Sequence, residues 1–228
     1  MKKLFLMLVT CFVCSAYAEN FFDPVIREME GFEIHIDPAL LEDDEGRRIV
    51  KMLEARLMMI VTIMPEPALT KLRTCPIWIE KYHPTLGAMQ FHPSVGWLRR
   101  NGHDPRLEKM VHIPRAKELL SRGQMAKHPW VVLHELAHAY HKRIIGHDHK
   151  GVNSAFAAAK ASGKYEKVLL YNGREGVRHY GMSNPFEYFA ESTEAYFAQN
   201  DFYPFVRAEL RKFDPQMFGV MEEVWGKL

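Results

Sequence analysis

The sequence has no hydrophobic run long enough to cross a membrane. Its most apolar segment, residues 4–13, is about ten residues long, whereas a membrane-spanning helix needs roughly 18 or more. Lys2 and Lys3 precede this run and small residues follow it up to Ala18, which is the pattern of a secretory signal peptide. We therefore expect a signal peptide at 1–18, and a protein exported to a periplasm or out of the cell without a membrane anchor.

Cysteine is scarce. The chain has three cysteines, and two of them, Cys11 and Cys14, lie in the expected signal peptide. The exported chain would keep only Cys75, so it cannot use an intramolecular disulfide framework. Cys75 lies too deep in the chain for the removable segment of a latent protease, and we expect a buried free thiol. Stability must then come from a hydrophobic core, which 47% hydrophobic residues can supply.

The chain also lacks a strong charge of either sign. It has 30 Lys plus Arg against 28 Asp plus Glu, and loss of the two signal-peptide lysines leaves 28 of each. Without a basic arm or acidic tail, charge favours neither nucleic-acid binding nor attraction to a membrane surface. Repeats, linkers and low-complexity tracts are also missing. We expect residues 19–228 to form one domain, with lobes of roughly 19–146 and 147–228.

The apolar pattern predicts an α+β fold. Alternation and short apolar runs predict strands at residues 32–37, 76–82, 87–92 and 109–113, and a strand pair within 165–180. Helical spacing predicts helices at residues 43–63, 129–145, 153–162, 184–200, 203–213 and 215–225. The N-terminal lobe is therefore expected to contain a small mixed sheet and the helix at 129–145, and a mainly helical C-terminal lobe should follow.

The most specific motif is His134-Glu135-Leu136-Ala137-His138, the H-E-x-x-H pattern of zinc peptidases. Side chains four residues apart lie on one face of a helix, one turn from each other. His134 and His138 can thus bind one metal ion, with Glu135 beside it as a general base. Two surface histidines and a solvated acid are the alternative, but a complete motif on an apolar-periodic helix favours the metal site.

A catalytic zinc ion has three protein ligands and one open position, so a further ligand is required. Glu187 and Glu191 share a face of the next long helix, and we expect Glu187 to bind Zn²⁺ and Glu191 to accept a hydrogen bond from a ligating histidine. A capping box of Asn184 and Glu187 competes with this interpretation and would make Glu191 the ligand. Glu194 is expected to be a surface acid or a further acid behind the ligands.

Three more histidines follow the motif. His141 lies about 10 Å along the helix axis from His134, too far to join one tetrahedral set, and is expected on the helix surface. His147 and His149 flank Asp148 and are expected to be polar loop residues. A weak accessory metal site at these two histidines is the alternative.

Two short blocks resemble the catalytic domain of anthrax lethal factor and the related secreted Pro-Pro endopeptidases, which are glutamate-zincin metallopeptidases. The blocks, about forty residues apart, are His134-Glu135-x-x-His138 and Tyr180-Gly181-x-Ser183-Asn184-x-x-Glu187-Tyr188-Phe189-Ala190-Glu191. The resemblance implies a zincin-like fold, zinc bound by His134, His138 and Glu187, Glu135 as general base and Tyr180 as oxyanion donor. Met182 and Pro185 depart from the toxin's residues, so substrate specificity cannot be carried over.

The expected function is a secreted zinc endopeptidase acting on a peptide or protein substrate. Apart from any resemblance, zinc lowers the pKa of bound water to about 7, and Glu135 can take the proton. Tyr180 is the expected oxyanion donor, with His179 as the alternative donor and a core position as the alternative for Tyr180. An extended substrate is expected along residues 87–92.

Two other functions use the same residues. One is a catalytically silent zinc module that binds peptides or glycans, and the other is a zinc amidase that acts on cell-wall crosslinks. Glu135 argues against the silent module, because a site that only holds metal needs no acid at that position. The motif alone does not separate a peptidase from an amidase.

Overall fold

The computed structural model describes residues 21–228, so the expected signal peptide at 1–18 lies outside the described residues. The described chain has a five-stranded mixed sheet in its first half and mainly helices in its second half. This is the predicted α+β architecture. Within residues 21–228, no helix combines the length and the apolarity that a bilayer-spanning segment requires.

The sheet contains β1 (Val25–Met29), β2 (Phe32–Ile36), β3 (Ile77–Ile79), β4 (Gln90–Phe91) and β5 (Val111–Ile113) in the order β1-β2-β3-β5-β4. The three central strands β2, β3 and β5 are parallel, and the edge strands β1 and β4 are antiparallel to their neighbours. All four individually predicted strands are confirmed, with shorter bounds. Strand β1 was not predicted because most of its residues are exposed and it shows little apolar alternation.

The helices are α1 (Asp44–Ile63), α2 (Glu66–Leu72), α3 (Val95–Arg100), α4 (Arg122–Lys127), α5 (Val131–Tyr140), α6 (Lys150–Ser162), α7 (Pro185–Phe197), α8 (Arg207–Phe213) and α9 (Pro215–Trp225). Short 3₁₀ turns occur at Pro38–Leu40, Pro105–Leu107, Ala116–Leu120 and Tyr180–Ser183. All six predicted helices are confirmed, with shifts of up to about four residues at their ends and with the last turn of 129–145 in π form. Helices α2, α3 and α4 span two turns or less, too few residues to produce a visible period.

The strand pair expected within residues 165–180 is wrong. The only pairing inside that segment is an isolated bridge between Val168 and Val177, and Leu170 bridges to Phe202 instead. Gly173 and Gly176 have φ angles of +85° and +70°. These left-handed conformations turn the chain between the would-be strands and leave no room for a continuous ladder.

The two faces of the sheet are covered by different groups. Ile77 and Ile79 of β3 belong to the main hydrophobic core, while Trp78 between them points to the opposite face. His112 of β5 pairs with Trp78 across the ladder and shares that second face. Leu98 of α3 packs against Trp78 there. Cover on both faces explains why β3 and β5 consist of consecutive buried residues.

The main core crosses the expected lobe boundary at residue 146. It includes Leu53 of α1, Leu133 of α5, Phe189 of α7 and Met221 of α9, all fully buried. Helix α5 contacts β4 and β5 of the sheet as well as α7. The helix that carries the metal motif is therefore held between the sheet and the C-terminal helices.

Candidate metal centre

Helix α5 is almost entirely buried, which fixes the orientation of its motif residues. Nine of its ten residues are buried, and His138 is half-buried. The helix predicted at 129–145 is an α-helix at Val131–Tyr140 continued by a π turn at His141–Ile145. The segment ends at Gly146, whose φ of +87° favours glycine.

Three ligand atoms converge at the surface of α5. Atom Nε2 of His134 lies 3.1 Å from Nε2 of His138. Atom Oε2 of Glu187 lies 3.1 Å from the first nitrogen and 3.2 Å from the second. A tetrahedron with metal–ligand bonds of about 2.0–2.1 Å has edges of about 3.3 Å. The triangle is therefore the right size for one shared metal ion, and this group could form a metal site.

The tautomer of His134 indicates that a positive charge between the three ligand atoms would be stabilising. Atom Nδ1 of His134 lies 2.7 Å from Oε1 of Glu194, a buried hydrogen bond in which the ring must be the donor. A neutral ring then turns the lone pair of Nε2 toward the carboxylate of Glu187, and the two repel unless a proton or a metal ion lies between them. One buried and one half-buried imidazole, together with a carboxylate, therefore fit a bound cation.

The pKa shifts agree with that reasoning. Burial opposes charge on His134, but its hydrogen bonds to Glu187 and Glu194 outweigh burial and raise its pKa well above the ordinary value. Burial likewise disfavours the charged form of Glu187, but hydrogen bonds to His134 and His138 hold the pKa of this carboxyl well below its usual range. Glu187 is thus an ionised carboxylate beside the Nε2 atoms of two histidines. A carboxyl group must be ionised in this way to bind a metal ion.

The start of α7 delivers Glu187 to the histidines. Asn184 is the N-cap, and its Oδ1 accepts hydrogen bonds from the backbone N–H groups of Phe186 (2.9 Å) and Glu187 (3.0 Å). Pro185 occupies the first helical position, which suits its fixed φ. The side chain of Glu187 contacts His134 and His138, so the asparagine caps the helix while the carboxylate is left for the metal position.

Glu194 is the acid behind His134. Its Oε1 lies 2.7 Å from Nδ1 of His134, whereas the nearest oxygen of Glu191 lies 4.0 Å from that nitrogen. The hydrogen bond with a ligating histidine that was expected for Glu191 is therefore made by Glu194, because the crossing of α5 and α7 brings Glu194 nearer to His134. Glu194 is 0% exposed, so its expected surface position is wrong and its alternative position behind the ligands is confirmed. Glu191 is also buried; burial first, then the neighbouring Glu194, raise its pKa well above the ordinary value.

A further histidine contacts the same carboxylate. Atom Nε2 of His128 lies 3.0 Å from Oε1 of Glu194. These two groups and Nδ1 of His134 form a second set of close ligand atoms. Because the two histidine contacts are ordinary hydrogen-bond distances, we interpret the set as a His128–Glu194–His134 chain of hydrogen bonds that orients the His134 ring.

A cavity of about 730 Å³ opens onto the triangle. Its walls include all three candidate ligands together with Glu135 and Tyr180. Burial raises the pKa of Glu135. Tyr180 is 50% exposed and begins the 3₁₀ turn before α7, so it is not a core aromatic. Burial and then the nearby Glu187 raise its pKa, which keeps the phenol protonated as a hydrogen-bond donor.

Comparison with protein-family models, with curated proteins and with solved structures found no match. The resemblance to the lethal factor family therefore stays a prediction that rests on its two sequence blocks.

His179, the alternative oxyanion donor, does not line the cavity. It is buried, and its Nδ1 accepts a hydrogen bond from the backbone N–H of Gly181 at 3.0 Å. This bond caps the 3₁₀ turn that begins with Tyr180. His179 thus shapes the turn that presents the tyrosine, and its ring faces away from the reaction space.

The surface position expected for His141 is wrong. The side chain is fully buried, with its ring centroid 4.6 Å from that of Phe186 and 4.8 Å from that of Phe189. The start of α7 covers this end of the motif helix, a tertiary contact that helical spacing does not reveal. Burial lowers the pKa of His141 to about 3, so the ring is neutral.

His147 and His149 act as polar loop residues, as expected. His147 is exposed and lies 2.9 Å from Asp148, and Nδ1 of His149 accepts a hydrogen bond from the backbone N–H of Val152 at the start of α6. Within the described chain, neither histidine belongs to a group of three converging ligand atoms. Cys75 is buried, as expected, and burial raises the pKa of its thiol to about 11.

Proposed function

We propose that this protein is an exported, zinc-dependent endopeptidase with a zincin-like fold. The observation that carries the proposal is the convergence of His134, His138 and Glu187 at the wall of an open cavity with Glu135 beside them. Two imidazoles and one carboxylate that leave a fourth position open are a ligand set of catalytic zinc.

The chain's own residues supply the rest of the chemistry. His134, His138 and Glu187 would hold the zinc ion, which would supply Lewis acidity for polarising a carbonyl and lowering the pKa of water. Glu135 accepts the proton of the attacking water and returns it to the leaving amine. Its raised pKa brings this base closer to neutral pH. The phenol of Tyr180 donates a hydrogen bond to the oxygen of the scissile carbonyl as negative charge develops there.

The position of β4 supports a peptide as the substrate. Residues 87–91 form one wall of the cavity, and β4 is the edge strand that is bonded to β5 on one side. An extended peptide can add to such an edge by backbone hydrogen bonds. This arrangement favours a peptidase over an amidase, because a crosslink between short side chains offers no extended strand.

Metal analysis and peptide cleavage of site variants test the proposal. Glu135→Gln should retain zinc and lose turnover, because it removes the base and leaves the ligands in place. Glu187→Ala should lose zinc and turnover together. Glu54→Gln, on the exposed side of α1, is the matched control and should change neither quantity.

Two results would contradict the proposal. Full peptide cleavage by Glu135→Gln would remove the proposed base, and unchanged zinc content in Glu187→Ala would remove the proposed ligand. Cleavage of a crosslinked cell-wall fragment, with every linear peptide left intact, would favour the amidase. A zinc-loaded protein that binds peptides and cleaves none would favour the silent module.

A further inference from the structure

The cavity walls beyond the metal centre carry more positive than negative charge. Arg115, Lys127 and Lys142 line the cavity, against one further acid, Glu118. Among residues 21–228, none of these four side chains takes part in an ion pair. The charges of Glu135 and Glu187 face the metal position, where a divalent cation offsets them. The remaining wall is therefore cationic, although the chain as a whole is almost neutral.

Arg115 is held beside the wall formed by residues 87–91. A Cβ atom placed on Gly87 would lie 3.5 Å from Cζ of its guanidinium. The guanidinium also stacks over the ring of Tyr82, with Cζ 5.3 Å from the ring centroid. Within residues 21–228, Arg115 forms no salt bridge. A partly buried guanidinium without a carboxylate partner is unfavourable, and an anionic ligand in the cavity that Arg115 lines would supply that partner.

Lys142 lies on a different wall, one turn after His138 in the chain. It is partly buried, and its Nζ lies 3.3 Å from the centroid of the Phe186 ring. Burial lowers the pKa of Lys142, and the charge of Asp148 offsets only part of this shift. Asp148 itself pairs with His147, and the face of Phe186 gives the ammonium group only a cation–π contact. Among residues 21–228, Lys142 therefore forms no salt bridge.

On the basis of the proposed peptidase function, we propose that the substrate is an acidic peptide whose residues next to the scissile bond carry carboxylate side chains bound by Arg115 and Lys142. One carboxylate would lie beside residues 87–91 and the other beside Phe186. The exposed Lys127 adds to the positive potential of the cavity and speeds the encounter with an acidic chain. Both effects weaken as salt screens the charges.

Matched peptides test this inference. In any peptide that the zinc-loaded protein cleaves, the residues flanking the scissile bond are replaced by Glu, by Gln or by Lys. We expect the Glu peptide to exceed the Gln peptide about tenfold in kcat/KM at low salt, equivalent to about 1.4 kcal/mol. The Lys peptide should be the poorest substrate. The preference for Glu should shrink as the ionic strength rises.

Variants assign the preference to individual cations. Arg115→Gln and Lys142→Gln should each remove the preference for Glu at one of the two positions that flank the scissile bond. Lys142→Glu should reverse the charge preference, so that Lys is favoured at the substrate position that contacts residue 142. Lys142→Arg keeps the charge and should restore the preference, which separates loss of charge from loss of folding. Lys51→Gln removes an exposed lysine of α1 far from the cavity lining and should leave all peptide ratios unchanged.

Binding provides a readout that is independent of turnover. In the Glu135→Gln background, fluorescence anisotropy should show tighter binding of the Glu peptide than of the Gln peptide, and the difference should disappear with Arg115→Gln and Lys142→Gln combined. Equal cleavage and binding of Glu and Gln peptides would overturn the inference and leave the peptidase intact. Failure to cleave any peptide would overturn the peptidase proposal itself.

Discussion

His134 presents its two ring nitrogens to different partners. Nε2 faces His138 and Glu187 at the metal position, and Nδ1 donates to Glu194. The second contact fixes the tautomer and the ring plane, so that the lone pair of Nε2 points at the metal position. The affinity of the proposed metal site should therefore depend on an acid that lies outside the three candidate ligands.

Replacement of Glu194 tests this dependence. We expect Glu194→Ala to lower zinc affinity about 10- to 100-fold, because the His134 ring loses the partner that orients it. Glu194→Gln keeps an acceptor oxygen and should lose less. The measurement is the zinc dissociation constant, from competition with a chromogenic chelator, beside a thermal denaturation curve that confirms folding.

Glu191→Gln is the matched control for that experiment. Its nearest oxygen lies 4.0 Å from Nδ1 of His134, beyond hydrogen-bond distance, and glutamine has nearly the same size and shape as glutamate. We expect its zinc affinity to stay near that of the unmodified protein. A loss in Glu191→Gln as large as in Glu194→Ala would show that Glu191 is the orienting acid.

The sequence could not distinguish these two acids. At about 100° per residue, Glu191 lies about 40° round the helix from Glu187 and Glu194 about 20° round in the other direction, so both share its face. Only the crossing of α5 and α7 decides which one meets His134. His128 was missed for the same reason, because it lies outside the motif and reaches Glu194 through the fold alone.

At the scale of elements, the first turn of α7 joins helix capping to metal binding. Asn184 accepts two backbone N–H groups there, including that of Glu187. The cap therefore holds the residue whose carboxylate faces the histidines. The position of the third ligand depends on this turn as much as on the glutamate itself.

Asn184→Ala tests the coupling between cap and ligand. Loss of an N-cap side chain costs about 1 kcal/mol, and we expect urea unfolding to show a loss of that size. Zinc affinity should fall as well, because a frayed first turn leaves Glu187 mobile. Asn184→Asp preserves the capping oxygen and should keep both stability and affinity. If the aspartate variant behaves like the alanine variant, the cap is not the cause.

The apolar spacing of the sequence predicted the helices and strands that are long or buried on both faces. It did not predict the short or exposed ones. Helix α1 was predicted to within a residue because its 20 residues repeat the apolar spacing over more than five turns. The exposed strand β1 and the short helices α2 to α4 offered no such repeat. The π turn after α5 was also missed, because it is a single turn at the end of the helix and too few residues follow it to reveal a shift in the apolar spacing.

At the scale of the whole molecule, the fold gathers a second group of buried histidines on the face of the sheet away from the metal centre. The cluster contains His83, His92, His103 and His112, with Glu80 beside His112. The ring centroids are 5.2–5.7 Å apart in three neighbouring pairs: His83–His103, His83–His112 and His92–His112. The four residues lie about ten residues apart in separate segments, so the cluster could not be predicted from sequence spacing. Within residues 21–228 they do not form a group of converging metal-ligand atoms.

These buried histidines make stability depend on pH. Burial, and then the neighbouring histidines, lower the pKa of His92 and His112 to about 3, from 6.5 in the unfolded chain. Below pH 6.5 the unfolded chain therefore binds protons that the folded protein does not bind. The stability that is present above pH 6.5 is lost as the pH falls toward 3. Glu80 acts in the opposite direction between pH 6 and 4.5, because burial raises its pKa to about 6.

His92→Gln tests this pH dependence. The side-chain amide of glutamine has both a donor and an acceptor for the hydrogen bond with Nδ1 of His112, and the variant removes one titrating group. Below pH 6.5 its free energy of unfolding should fall less steeply than that of the unmodified protein, by up to about 1.4 kcal/mol per pH unit. The measurement is the slope of the free energy of unfolding against pH for both proteins, obtained by urea unfolding. A chelator is present, so that no metal is released on unfolding. Both proteins contain His134 and His138, so the contributions of these histidines cancel when the two slopes are subtracted. Parallel curves would mean that the His92 ring accepts its proton without disturbing the folded cluster.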